Sequence, residues 1–118
     1  MPLLNFKKQF APLVEAGIKR QTIRSPRKDC RNPHRGEILY LYTGLRTKSA
    51  RKLLVVECRG SIPIAITENN DVVLGMRELG YLEATKLAKA DGFDSFEDFL
   101  VFFRQNHGLP FFGFLIYW

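Results

Sequence analysis

The segment GIKRQTIR, residues 17–24, marks a change from a helical to an extended pattern near the start of this 118-residue chain. Before it, Phe10, Leu13 and Val14 recur at helical spacing, which predicts a short helix. Gly17 is expected to end that helix, because only glycine enters the left-handed conformation without steric cost. After the glycine, β-branched and polar residues alternate, which is typical of a half-buried strand.

This alternation places Arg20, Thr22 and Arg24 on one face of the strand and Ile23 on the other, with Lys19 at the junction with the helix. Two cations and a hydroxyl on a rigid strand suit an anionic or polar ligand better than they suit a core. The alternative is an ordinary surface strand whose cations are solvated.

Composition indicates one globular domain over residues 1–118. The chain is 46% hydrophobic and 25% charged, as soluble domains are. No apolar run reaches the roughly twenty residues of a membrane span. The start lacks a signal-peptide pattern, so we expect a cytoplasmic location and no membrane partner. Cys30 and Cys58 lack metal-ligand spacing, a disulfide between them is not expected, and no phosphate-loop or dinucleotide motif occurs. No metal or other cofactor is therefore predicted.

The net charge of +6 is unevenly distributed, since 11 of the 18 Lys and Arg residues fall between positions 19 and 52. Several lie in two predicted loops, where a clustered basic surface attracts phosphates. The loop cations considered as nucleic-acid-binding residues are Arg27, Lys28, Arg46 and Lys48. The alternative is that they only keep the protein soluble.

The remaining patterns predict an α+β fold. Strands are expected at residues 3–6, 21–24, 37–43, 53–58, 61–67, 71–74 and 112–118. Pro63 predicts that its strand lies at an edge or is bent, since proline cannot donate to a ladder. Helices are expected at 81–90 and after Ser95, which has the spacing of a capping box with Asp98. The absence of β-α alternation favours a small, mostly antiparallel barrel built from about six of these strands, with flanking helices.

One group of residues has the chemistry of a catalytic site. Lys19 and Thr22 lie near the helix-to-strand junction, and Asp91 precedes a break in the helical pattern at Gly92. A lysine near a hydroxyl can act as a base or nucleophile, and a carboxylate can relay a proton. Such a lysine must be partly neutral, which desolvation or neighbouring cations would favour. The alternative is that Asp91 only caps a loop and Lys19 only pairs with a carboxylate.

Three motifs together resemble the ASCH domain over nearly the whole chain. The first is Gly17-x-Lys19-x-x-Thr22-Ile23-Arg24, and the second is the strand at 38–42 preceded by Gly36. The third is Asp91-Gly92-Phe93-x-Ser95, followed by an aromatic helix and an apolar terminal strand. The segments 10–24 and 42–48 are particularly similar to versions found in phage and prophage genomes.

The resemblance implies a PUA-like β-barrel with a cleft between helices, and a role in binding RNA or a nucleotide. Some small members are amidohydrolases that deacetylate acetylcytidine with a lysine, a threonine and a glutamate. These residues correspond to Lys19, Thr22 and Asp91, where this chain has the shorter carboxylate. Other members are connected with ribonuclease activity.

Three functions are therefore considered. The first is an RNA- or nucleotide-binding domain in which phosphates meet Arg24 and the basic loops, and Tyr40 or Tyr42 stacks on bases. The second is a hydrolase acting on a modified nucleoside or on RNA through Lys19, Thr22 and Asp91. The third is a phage-encoded protein that only binds a host protein through exposed aromatic residues.

Overall fold

A computed structural model describes residues 3–28 and 32–118, and Cys30, with the disulfide considered for it, lies outside these residues. The described residues form eight strands and three α-helices. The strands are β1 (Leu3–Phe6), β2 (Gln21–Arg24), β3 (Ile38–Thr43), β4 (Arg51–Glu57), β5 (Gly60–Ile66), β6 (Val72–Leu74), β7 (Arg77–Glu78) and β8 (Phe111–Tyr117). The helices are α1 (Ala11–Glu15), α2 (Tyr81–Ala90) and α3 (Phe96–Asn106). The predicted α+β class is confirmed.

The strands form two mostly antiparallel sheets. One has the order β1-β3-β4, and the other has the order β2-β8-β5-β6-β7. Only β1 and β3 run parallel among the paired strands of the described residues. Hydrogen bonding in this part of the chain divides the strands between the two sheets, so closure into a barrel stays a prediction.

The terminal strand β8 lies between β2 and β5, as the apolar character of its residues requires. Gly113 allows β2 to approach, because a Cβ atom there would collide with the carbonyl oxygen of Arg24 and lie 2.8 Å from the Phe111 ring. The register pairs Thr22 with Ile116 and Arg24 with Phe114. Strand β8 thereby fixes the position of β2 and of its polar side chains.

Pro63 predicted a strand that is either at an edge or bent, and the edge alternative is wrong because β5 lies between β8 and β6. The bend stays a prediction. The carbonyl of Pro63 accepts a hydrogen bond from Gly75 N at 2.7 Å, so its nitrogen faces the same side, toward β6. The pairing with β6 begins at Ile64, opposite Leu74. Position 63 lies one residue beyond that ladder, opposite Gly75, and its ring nitrogen returns no hydrogen bond to that residue.

Helix α3 begins as the capping pattern predicts, with Ser95 Oγ accepting a hydrogen bond from Asp98 N at 3.1 Å. Its apolar stripe is part of the core, and Phe99 and Phe103 are almost completely buried. Burial of such large rings contributes roughly 1.5–3 kcal/mol each. None of the helices in the described residues combines the length and the apolar character needed to cross a membrane.

Candidate functional site

A cavity of about 390 Å³ opens where β1, β2, the end of α2, α3 and β8 meet. Its volume lies within the range of roughly 300–1,000 Å³ that small-molecule sites occupy. Much of the wall is aromatic. The lining rings are those of Phe6, Phe10, Phe93, Phe102, Phe103 and Phe114. Rings of this kind offer edges and faces to a flat ligand.

Lys19 and Asp91 form a buried ion pair in this cavity. Lys19 Nζ donates a hydrogen bond to Asp91 Oδ1 at 3.0 Å and another to the carbonyl oxygen of the same residue. Lys19 is held just before β2, where its backbone N–H donates to Leu13 O at 3.0 Å. Asp91 follows the last turn of α2, and its own N–H donates to Leu87 O at 3.0 Å. The aspartate therefore reaches the lysine although it is one methylene shorter than a glutamate.

Both side chains of the pair are almost completely removed from solvent. Lys19 is 2% exposed and Asp91 is 4% exposed. Lys19 Nζ lies 4.9 Å from the ring centre of Phe10 and 5.9 Å from that of Phe6. Burial lowers the pKa of Lys19, and the Asp91 carboxylate only partly opposes this. Burial likewise raises the pKa of Asp91 against the effect of Lys19. These two shifts bring the pKa values of Lys19 and Asp91 closer together, so transfer of a proton from the ammonium to the carboxylate costs less free energy.

Thr22 and Arg24 lie on the same strand beside this pair. Arg24 Nε donates to Thr22 Oγ1 at 3.0 Å, and Arg24 Nη2 donates to Asn5 O at 2.7 Å. The guanidinium lies 4.8 Å from the ring centre of Phe6. Burial lowers the pKa of Arg24 to about 10, so its side chain remains charged at neutral pH. The Thr22 hydroxyl accepts from a cation, which leaves its own proton to donate to a ligand.

Four residues singled out from the sequence thus line one cavity: Lys19, Thr22, Arg24 and Asp91. Arg27 lines it as well and donates to Leu3 O at 3.0 Å.

The other candidate residues lie elsewhere. Arg20 precedes β2 and is exposed, so it does not share the buried position of Thr22. Ile23, expected on the opposite face of the strand, is buried and also contributes to the cavity lining. Three loop cations are exposed and do not line the cavity: Lys28, Arg46 and Lys48.

Two tyrosines proposed for stacking lie on β3 away from the cavity. Tyr40 and Tyr42 are partly exposed, whereas Leu39 and Leu41, which alternate with them, are completely buried. The tyrosines therefore face outward from the three-stranded sheet, on the side opposite to the core.

Sequence patterns did not identify two residues near the site, Gln21 and His107. Gln21 Nε2 donates to Leu87 O at 3.4 Å, and the Gln21 amide opposes part of the rise that burial causes in the pKa of Asp91. His107 is the C-cap residue of α3 and also lines the cavity. Burial lowers the pKa of His107, so it is mainly neutral at pH 7. The only feature of the sequence that placed either residue near the site was the position of Gln21 at the start of a predicted strand, close to Lys19.

The described residues contain no group of three or more His, Cys, Asp or Glu side chains placed to hold a metal ion. Comparisons of the chain with protein-family models, curated proteins and solved structures return no match.

Proposed function

We propose that the chain binds a nucleotide, free or within single-stranded RNA, in the aromatic-lined cavity. The observation that carries this proposal is the convergence of Lys19, Thr22, Arg24 and Asp91 on one cavity. The cavity volume of about 390 Å³ suits a single nucleotide rather than a duplex. Unstacked bases are commonly recognised between aromatic side chains and polar groups, so the wall and the Thr22 hydroxyl supply complementary contacts.

The fold and family belong to the same proposal. We infer a cytoplasmic, PUA-like ASCH domain of the phage or prophage type, in which the two sheets and their helices form a barrel around the cleft. The motif spacing of residues 17–24 and 91–95 supports it, as does the pairing of β8 beside β2. Arg20, the basic loops, Tyr40 and Tyr42 would then contact RNA outside the cavity.

The binding proposal is tested by titrating the protein with ribonucleosides, ribonucleotides and single-stranded RNA at low and high salt. We expect RNA affinity to fall steeply as salt rises, because phosphate contacts release counterions. Thr22→Val should weaken binding while Thr22→Ser retains it, since serine preserves the hydroxyl. No binding of any of these ligands at low salt would refute the proposal.

A second candidate, a hydrolase, is favoured by the buried Lys19–Asp91 pair beside Thr22. In amide hydrolysis, Lys19 in its neutral form would take a proton from water as the water oxygen attacks the carbonyl carbon. That proton would pass to the departing nitrogen, leaving a carboxylic acid and an amine. The lowered pKa of Lys19 makes the neutral form more accessible than in an exposed lysine.

Incubation with acetylcytidine, and separately with single-stranded RNA, tests this second function. Release of cytidine and acetate, or of RNA fragments, should occur with the wild-type protein and disappear with Lys19→Ala. Lys52→Ala is the matched control, because Lys52 is exposed on β4 and does not line the cavity. Product yields identical with and without protein would eliminate catalysis on these substrates.

A further inference from the structure

The cavity carries an excess of positive charge that its own acid does not balance. Its lining includes four cationic side chains and one carboxylate, that of Asp91. The cations are Lys7, Lys19, Arg24 and Arg27. Because Asp91 already pairs with Lys19, the lining retains a net positive charge near the other three.

Arg24 and Arg27 have no carboxylate partner among the described residues. The ion pairs found there involve other cations: Lys19, His34, Arg51 and Arg77. Both arginines are anchored instead by neutral oxygens, Arg24 by Thr22 Oγ1 and Asn5 O, and Arg27 by Leu3 O. These bonds use only some of the five N–H groups of each guanidinium. The remaining N–H groups can donate hydrogen bonds to the oxygens of an anion.

The two anchoring carbonyls lie on the same edge of β1. Leu3 O and Asn5 O are two residues apart, which corresponds to about 7 Å along a strand. The Arg24 and Arg27 guanidinium groups are thus anchored to neighbouring points on one strand edge, and both side chains line the cavity. One phosphate group can contact both, since each guanidinium can bind two of its oxygens.

We propose that Arg24 and Arg27 form a phosphate-binding subsite, and that the cavity selects a phosphorylated nucleotide over the corresponding nucleoside. This inference rests on the proposed function and specifies its ligand class. The phosphate can be the terminal group of a mononucleotide or a phosphodiester within RNA. Both sources present the same anionic oxygens to the arginines. Partial burial of Arg24 strengthens its interaction with an anion relative to an exposed cation.

The test compares four ribonucleosides with their 5′- and 3′-monophosphates and with a uridine hexanucleotide that has only internal phosphodiesters. Binding is followed by calorimetry and by the fluorescence of Trp118, the single tryptophan, whose ring lies 6.0 Å from that of the cavity residue Phe6. At least one monophosphate, or the hexanucleotide, should bind about 10- to 100-fold more tightly than its nucleoside. A mononucleotide preference identifies a terminal phosphate, and a hexanucleotide preference identifies a phosphodiester.

Variants distinguish the subsite from general electrostatic attraction. Arg27→Gln should remove most of the phosphate advantage, measured as the ratio of nucleotide affinity to nucleoside affinity, because the subsite loses one of its two guanidinium groups. Arg24→Lys should retain only part of it, since lysine lacks the planar fork. Arg59→Gln is the matched control, and it should retain the full advantage because Arg59 is exposed and does not line the cavity.

Failure of the phosphate subsite and failure of the proposed nucleotide-binding function give different outcomes. Equal affinity for nucleosides and their phosphorylated forms would overturn the subsite while the cavity remained a nucleoside site. The subsite is also overturned if Arg59→Gln and Arg27→Gln reduce affinity for the phosphorylated ligand equally. If no nucleoside, nucleotide or oligonucleotide binds, the proposed function itself fails.

Discussion

Removal of either partner of the buried Lys19–Asp91 pair should destabilise the fold, and removal of both charges should cost less. Lys19→Met leaves a carboxylate at 4% exposure, and Asp91→Asn leaves an ammonium group at 2% exposure. Neither charge has another opposite charge within salt-bridge distance among the described residues. The double variant contains no charge at either position.

The penalty at pH 7 is limited by the cost of neutralising the remaining group. A carboxyl with an ordinary pKa of 3.8 costs about 4 kcal/mol to protonate at pH 7. An ammonium with an ordinary pKa of 10.5 costs about 5 kcal/mol to deprotonate there. We therefore expect each single substitution to lower the free energy of unfolding by about 3–5 kcal/mol. The double variant, with only neutral polar groups to satisfy, should lose about 1–2 kcal/mol.

The two single variants should respond to pH in opposite directions. In Lys19→Met, burial holds the Asp91 pKa above its unfolded value, so the native state binds the extra proton and gains stability as pH falls. Its penalty relative to wild type should drop below about 2 kcal/mol at pH 5. In Asp91→Asn, the Lys19 pKa lies below its unfolded value. The native state therefore releases the proton first, and the penalty should shrink as pH rises to about 9.

Urea denaturation of the four proteins at pH 5, 7 and 9, followed by far-ultraviolet circular dichroism, measures these free energies. Lys52→Met serves as the matched control for loss of an exposed lysine, and its effect should stay within about 0.5 kcal/mol. The reasoning is refuted if the double variant is as unstable as the sum of the single variants. It is equally refuted if both penalties change with pH in the same direction.

Two glycine substitutions test the packing around the site by thermal denaturation, and a third serves as their control. Gly92→Ala should cost about 2–3 kcal/mol, because φ is +102° and the new Cβ would lie 2.9 Å from Phe10 Cδ1. The control Gly108→Ala, with φ +80° and nothing within 4 Å, should cost only about 1–2 kcal/mol, and equal losses would contradict this assignment. Gly113→Ala should cost about 2 kcal/mol or more by pushing β8 from the Arg24 carbonyl, and wild-type stability would argue against the close approach.

Features determined by neighbouring residues could be predicted from the sequence. Gly17 ends the α1 segment with φ +74°, and Ser95 caps α3 through Asp98 three residues later. Both depend on backbone conformation and hydrogen bonds within a few residues. The error at Pro63 shows the limit of such reasoning. The rule excludes proline only where a ladder needs its N–H, and the short length of β6 removes that need.

Contacts between segments that are distant in the sequence could be predicted only in part. Residue chemistry and the family resemblance allowed Lys19 and Asp91 to be considered together, but their contact spans 72 positions and depends on how α2 meets β2. The anchoring of Arg24 by a carbonyl of β1 has no sequence signal, because any residue supplies a carbonyl. The number of cations in a segment likewise does not predict which of them line the cavity. Arg24 lines it, whereas Arg46 and Lys48 do not.

The placement of charge in this molecule connects the fold to the proposed function. A buried ion pair contributes little net stability, and an apolar pair of similar size often serves the core as well or better. Here the pair borders a cavity whose two arginines lack carboxylate partners among the described residues. An anionic ligand would complete the charge balance and stabilise the folded state by mass action. The denaturation midpoint of the wild-type protein should therefore rise with added nucleotide. That rise should be smaller in Arg27→Gln, which retains the Lys19–Asp91 pair but has one fewer donor for the phosphate.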